Sequence, residues 1–101
     1  MFNWIIVPLL FLGLQGCVTH PPPIEEYTLA RTSIEAAKSV EAARYSPGSW
    51  HEAEEAYKRG KEAFDDRRYK EAKVFFQKAK SLAERAENQT RFQKLQTGEV
   101  F

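Results

Sequence analysis

Residues 24–94 contain helix-breaking residues at only two places, and this spacing limits the possible folds more than any other feature of the chain. Pro47 and Gly48 adjoin each other, and Gly60 is the second place. Alanine, glutamate, lysine and arginine, which favour helices, are abundant between these points. Apolar residues recur there every three or four positions, as on one face of a helix. The sequence therefore predicts one helical domain with an all-α fold.

Turn signals divide this domain into three helices, for which we predict an antiparallel three-helix arrangement with short loops. The first helix is expected over residues 24–44, before a turn at residues 45–48 that contains the Pro-Gly pair. A polar turn at residues 65–68 separates the second helix from the third. The third helix covers residues 69–94, and residues 95–101 are expected to form a flexible tail.

The start of the second helix has its own signal, because Ser49 and Glu52 have the S-x-x-E spacing of a capping box. In that motif each side chain satisfies a backbone donor that the first turn of a helix leaves unpaired. The expected core faces are rich in alanine. They comprise Leu29, Ala30, Ile34, Ala36, Ala37, Val40 and Ala43 in the first helix, Trp50, Ala53, Ala56, Tyr57, Gly60, Ala63 and Phe64 in the second, and Tyr69, Ala72, Phe75, Phe76, Ala79, Leu82, Ala83 and Ala86 in the third.

An apolar run precedes the domain and ends beside the only cysteine of the chain. The run is much shorter than the roughly 20 residues that a membrane-spanning helix needs, but it suits the core of a signal peptide. Leu14-Gln15-Gly16-Cys17 resembles a bacterial lipobox, the motif at which lipoprotein precursors are acylated and cut. The resemblance implies that residues 1–16 are a lipoprotein signal peptide with Leu14, Gln15 and Gly16 as its cleavage motif. It also implies a covalent diacylglycerol and an N-acyl lipid, such as palmitate, on Cys17.

Residues 17–23 are expected to tether the domain to this lipid anchor. Pro21, Pro22 and Pro23 lack backbone donors and favour an extended polyproline conformation, which suits a semi-rigid spacer. In lipoproteins of enteric bacteria, an aspartate directly after the lipidated cysteine favours retention in the inner membrane, and Val18 stands there instead. The resemblance therefore implies an outer-membrane anchor in the bacterial envelope, with the domain facing the periplasm.

Charge is distributed unevenly along the domain, although the formal net charge of the chain is only +1. Residues 25–66 contain ten acidic and six basic side chains, whereas residues 67–94 contain nine basic and three acidic ones. Either the acidic helices lie against the basic third helix, or that helix is a docking face for anionic lipid, peptidoglycan or an acidic envelope protein. Nucleic acid is not an expected partner outside the cytoplasm. The candidate interaction face comprises Arg67, Arg68, Lys70, Lys73, Lys78 and Lys80.

The sequence has no pattern typical of an active site. The two histidines, His20 and His51, are not at metal-ligand spacing from each other or from cysteine, so no metal site is expected. Nucleophile motifs and a phosphate-binding glycine loop are missing as well. We therefore expect a protein that is not an enzyme and has no catalytic residues and no cofactor beyond the lipid on Cys17.

The second and third helices resemble a single tetratricopeptide hairpin. Gly60 takes the place of the small residue in the first helix of that motif. The Y-x-x-A-x-x-x-F-x-x-A pattern of its second helix is matched by Tyr69, Ala72, Phe76 and Ala79. The motif's tryptophan, glycine and proline are replaced here by Ala56, Arg67 and Glu84. This resemblance implies a peptide-binding or protein-binding adaptor of an envelope complex as an alternative function.

The chain after Cys17 resembles more closely a family of short alanine-rich bacterial lipoproteins whose domain has no assigned function. The pattern is an alanine-rich helix at residues 30–43, a Y-x-P turn at Tyr45, a second helix at residues 50–64, and another alanine-rich helix at residues 69–86. The expected function is that of a non-enzymatic, outer-membrane-anchored lipoprotein acting as a structural or accessory interaction module. The adaptor is one alternative, and a cell-wall enzyme or an activator of such an enzyme is another.

Overall fold

A computed structural model describes residues 20–98 of the chain. Within that range the helices are α1 (Ile24–Ser39), α2 (Ala42–Tyr45), α3 (Pro47–Asp65) and α4 (Tyr69–Thr97). They contain 86% of those residues, and residues 20–98 include no strand. The prediction of an all-α fold is confirmed.

The first predicted helix is interrupted, so the prediction of one helix over residues 24–44 is wrong. α1 ends at Ser39, and Glu41 adopts a left-handed conformation with a φ of 66° before α2 begins. The Ser39 hydroxyl donates a hydrogen bond to a backbone carbonyl of the last turn of α1, and such bonds compete with helix continuation. Val40 and Ala42, on either side of Glu41, are both buried, so the break turns two apolar side chains into the core.

α3 begins at Pro47, two residues before the predicted start, and the predicted capping box is wrong. Proline is favoured at the first helical position, because the N–H that it lacks has no partner in a helix there. Ser49 lies inside the first turn of α3, and its hydroxyl donates a hydrogen bond to Oε1 of Gln89 at 2.9 Å. Ser49 therefore links α3 to α4, while Glu52 is exposed.

α4 continues to Thr97, three residues beyond the predicted end of this helix at Lys94. Its C-terminal part is held because Thr90 is completely buried, and the Thr90 hydroxyl donates to Oγ of Ser46 at 3.0 Å. Gly98 ends the helix with a φ of 75°, a conformation that glycine adopts without steric cost.

α4 packs against both α1 and α3. Lys73 Nζ near the start of α4 lies 3.7 Å from Glu26 Oε1 near the start of α1. The contact between Ser49 and Gln89 places the start of α3 beside the later part of α4. The turn between α3 and α4 and the start of α1 therefore lie at the same end of the molecule.

The core consists mainly of alanine, and Phe76 of α4 is its largest fully buried side chain. A Cβ atom added at Gly60 would lie 2.6 Å from the Phe76 ring, so glycine is what allows α3 to approach this ring. Ala30 and Ala37 of α1 are fully buried, whereas Leu29 is 42% exposed. The core face of α1 is therefore rotated away from the Leu29 side of the predicted stripe.

Candidate interaction surface

The lipobox residues lie outside the residues that the structure describes. Leu14, Gln15, Gly16 and Cys17 all precede residue 20, so the acylation site and its cleavage motif remain predictions.

Two of the six candidate cations lie at the turn between α3 and α4. Arg67 is exposed and has a left-handed backbone conformation with a φ of 61°. Arg68 donates hydrogen bonds to Asp66, with Nη2 and Oδ2 3.3 Å apart, and to the Glu71 carboxylate. The charge of Arg68 is therefore compensated locally.

Two more of the candidate cations, Lys73 and Lys80, have carboxylate partners. Lys73 reaches Glu26 of α1, and Lys80 Nζ lies 2.9 Å from Glu84 Oε1 one turn further along α4. Lys73 therefore lies on the flank of α4 that faces α1, and the charge of Lys80 is compensated within α4 itself.

Lys70 and Lys78 are exposed and form no ion pair with any residue from 20 to 98. Lys78 lies with Phe75 beside α3, on the flank opposite Lys73. The structure therefore distributes the six candidate cations over the solvent-facing side and both flanks of α4 and the turn before it.

Ion pairs give only limited support to the idea that acidic helices neutralise α4. Lys73 pairs with Glu26, and Lys94 Nζ lies 4.0 Å from Glu41 Oε1. In the part of the chain that the structure describes, the glutamates of α3 form no ion pair with α4; Glu55 pairs instead with Arg59 of its own helix. The positive charge of α4 thus remains largely uncompensated by α3.

An aromatic cluster joins the three long helices near the start of α4. The Tyr27 ring of α1 stacks on Tyr57 of α3 at 6.0 Å and meets Phe76 edge-on at 5.3 Å. Burial, and then the hydrogen bond with Tyr27, raises the pKa of Tyr57 to about 12. Trp50 is 8% exposed and Phe76 is completely buried. Phe76 therefore belongs to the core alone, whereas Trp50 and Tyr57 also border an open depression beside α3.

An open channel beside α3 indents the surface of the domain. It is bordered by Ile34 and Lys38 of α1 and by Phe75 and Lys78 of α4. Along α3 the channel is bordered first by Glu52, Glu54 and Glu55 and then by Lys58, Arg59 and Lys61, so charges of both signs are equally represented there. No three histidine, cysteine, aspartate or glutamate side chains in this part of the chain lie close enough together to bind a metal ion.

The sequence predictions missed a polar group at the other end of the molecule. Lys94 is only 7% exposed, and its Nζ lies 5.1 Å from the centre of the Tyr45 ring. Thr90 and Lys94 continue the spacing of Ala83 and Ala86 along the buried side of α4. That spacing could have revealed them, but a core prediction based on apolar residues alone leaves out threonine and lysine.

Three large apolar residues of α4 are exposed, and none of them was predicted as a surface feature. Val74 is 59% exposed, Phe92 61% and Leu95 67%. Each helix among residues 20–98 is either too short or too polar to cross a lipid bilayer.

Comparison with known proteins gives one match. A family described as a domain of unknown function, DUF4398, matches residues 25–98, which include nearly all of the four helices. No curated protein and no solved structure matches the chain.

Proposed function

The chain belongs to the DUF4398 family, and from this premise we propose that it is a non-enzymatic lipoprotein, anchored in the outer membrane through Cys17. Its helical domain acts in the periplasm as a structural or accessory interaction module of the bacterial envelope. In this proposal the three long helices form one antiparallel unit with α4 between α1 and α3.

The observation that carries this proposal is the lipobox Leu14-Gln15-Gly16-Cys17 directly before the helical domain. Six residues separate Cys17 from Ile24, where α1 begins. A fully extended chain spans about 3.3–3.6 Å per residue, so this tether keeps the start of α1 within about 25 Å of the anchoring lipid. Pro23 is buried, and its carbonyl accepts a hydrogen bond from the Tyr27 amide, so the tether joins the domain without a long flexible linker.

The packing of the domain also supports the proposal of an interaction role. Its interior is filled by alanine side chains around Phe76, and the helices approach closely at Gly60. Most charged groups lie on the outer faces of the helices, where they can meet an extended surface.

Replacement of Cys17 by serine tests the proposal, because the lipid bond forms on the cysteine thiol. We expect the variant to lose fatty-acid labelling and to leave the membrane fraction, since stable anchoring takes two or more acyl chains. Val18→Asp is the matched control: it should keep the label but move from the outer to the inner membrane fraction. Labelling of the Cys17→Ser variant at the normal level would contradict the proposed anchor.

A further inference from the structure

The solvent-facing side of α4 carries a stripe of cationic and apolar side chains, which we call the α4 crest. Its cations are Lys70, Lys78 and Arg85, and its large apolar residues are Val74, Phe92 and Leu95. Helical spacing of three, four or seven residues places these positions within one third of the circumference of α4. All six side chains are exposed.

No acidic residue interrupts the α4 crest. The positions between its cations and apolar residues are Gln77, Ser81 and Asn88, which are neutral and exposed. Glu71 and Glu84 lie at the edges of the crest, and each forms an ion pair, with Arg68 and Lys80 respectively. The three crest cations form no ion pair within residues 20–98, so their charge is available to an anionic partner.

The packing of the helices makes the α4 crest an outer edge of the molecule. α4 contacts α1 and α3 through its opposite side, where Phe76, Ala79 and Ala83 are completely buried. The crest extends from residue 70 to residue 95, a length of about 37 Å at the helical rise of 1.5 Å per residue. A flat surface would therefore contact this convex side of α4 along the length of the crest.

We propose that the α4 crest lies on the surface of an anionic lipid bilayer, with the cations against the headgroups and Phe92 and Leu95 inserted at the interface. A second copy of the chain would present the same cations, and like charges on two facing stripes repel each other. Basic residues with bulky apolar neighbours on one helical face are typical of helices that bind at a lipid interface. The inference rests on the proposed anchor, which brings a bilayer within reach of the α4 start.

Binding of the full chain with Cys17→Ser to vesicles tests this proposal without the acyl lipid. Flotation with vesicles of phosphatidylglycerol and phosphatidylcholine is compared with flotation with phosphatidylcholine alone, at low and high salt. The N-terminal apolar run is the same in every variant, so differences between variants report on the domain. We expect stronger binding to the anionic vesicles and weaker binding as salt is added.

Two triple variants of equal charge identify the surface that binds. Lys70→Gln, Lys78→Gln and Arg85→Gln remove the crest cations, and we expect binding to anionic vesicles to fall on the order of 100-fold. The matched control removes three other exposed cations that form no ion pair in this part of the chain, through Arg31→Gln, Lys38→Gln and Lys58→Gln. The control should bind nearly as well as the parent chain.

A separate pair of variants tests the apolar part of the crest. Phe92→Ala should weaken vesicle binding on the order of 10-fold, because the variant has no aromatic ring to transfer from water into the lipid interface. Leu29→Ala, at an exposed position of α1, should have little effect. Circular dichroism should show the same helix content in all variants.

Equal loss of binding in the crest triple variant and its control would overturn the proposal, and so would equal binding of the parent chain to anionic and neutral vesicles. An acidic protein would then be the partner to search for. Failure of fatty-acid labelling at Cys17 would instead overturn the proposed anchor and leave this comparison intact, because every chain in it already has Cys17→Ser.

Discussion

Gly60 is the position at which the effect of an added Cβ atom on stability is easiest to predict. Alanine has a helix propensity about 1 kcal/mol more favourable than glycine, yet its Cβ would lie 2.6 Å from the buried Phe76 ring. The ring is enclosed by Tyr27 and Tyr57, so it cannot move aside freely. Overpacking of this kind costs about 1–3 kcal/mol. We expect Gly60→Ala to lower the free energy of unfolding, as measured by urea denaturation.

A double variant identifies the cause of this loss. Phe76→Leu makes the side chain opposite Gly60 smaller, so adding Gly60→Ala in that background should cost less than it does in the parent chain. A cost that is the same in both backgrounds would mean that the Gly60→Ala effect does not come from the Phe76 ring.

The raised pKa of Tyr57 predicts that the folded domain loses stability at alkaline pH. Burial and the hydrogen bond with Tyr27 raise its pKa from the ordinary value near 10 to about 12, so the folded state favours the neutral phenol. This contribution is fully present below pH 10 and is lost as the pH rises from about 10 to about 12. Urea denaturation at pH 9 and pH 11.5 should show a larger fall in stability for the parent chain than for Tyr57→Phe.

Tyr69→Phe is the control for this pH dependence, because it removes another half-buried tyrosine hydroxyl. It should lose as much stability between the two pH values as the parent chain does. A Tyr57→Phe variant with the same alkaline loss as the parent would contradict the assignment to Tyr57.

At the scale of the elements, the turn from α3 to α4 contains a strained residue. Arg67 has a φ of 61°, a left-handed conformation that costs a non-glycine residue about 1–2 kcal/mol. Its side chain is exposed and forms no ion pair among residues 20–98. Arg67→Gly should therefore raise the free energy of unfolding by about 1 kcal/mol, measured by urea or thermal denaturation.

Arg67→Ala separates the backbone effect from the loss of the charge. It removes the guanidinium but keeps a Cβ atom, so it should leave stability nearly unchanged. If the alanine variant were as stable as the glycine variant, strain at this turn would not be the reason.

At the scale of the whole molecule, exposed ion pairs contribute little to holding the domain together. Lys73 is 55% exposed where it meets Glu26, and Lys80 is 38% exposed where it meets Glu84. Exposed pairs are usually worth about 0–1 kcal/mol. We expect Lys73→Gln and Lys80→Gln to lower the free energy of unfolding by no more than about 1 kcal/mol each, and by less at high salt.

Lys78→Gln is the reference for these substitutions, because Lys78 forms no ion pair in the part of the chain that the structure describes. It should change stability even less. A loss of several kcal/mol from Lys73→Gln alone would show that attraction between α1 and α4 is a main source of stability, as internal charge complementarity requires.

The all-α fold, the polar turn before Tyr69 and most of the buried faces of α3 and α4 can be predicted from the sequence alone. These properties are local, because the spacing of alanine and aromatic residues along a helix decides which side can be buried. The burial of Ala53, Ala63, Phe76 and Ala79 follows from this spacing alone.

The break in the first helix, the partner of Ser49 and the flank that each cation occupies depend on how the helices pack together. Thr90 is buried because its hydroxyl meets Ser46, 44 positions earlier in the chain. The Ser49 hydroxyl donates its hydrogen bond to Gln89, 40 positions later in the chain, and does not cap the start of α3. Hydrophobic spacing within a helix cannot show such partners, since they meet only when separate helices pack against one another.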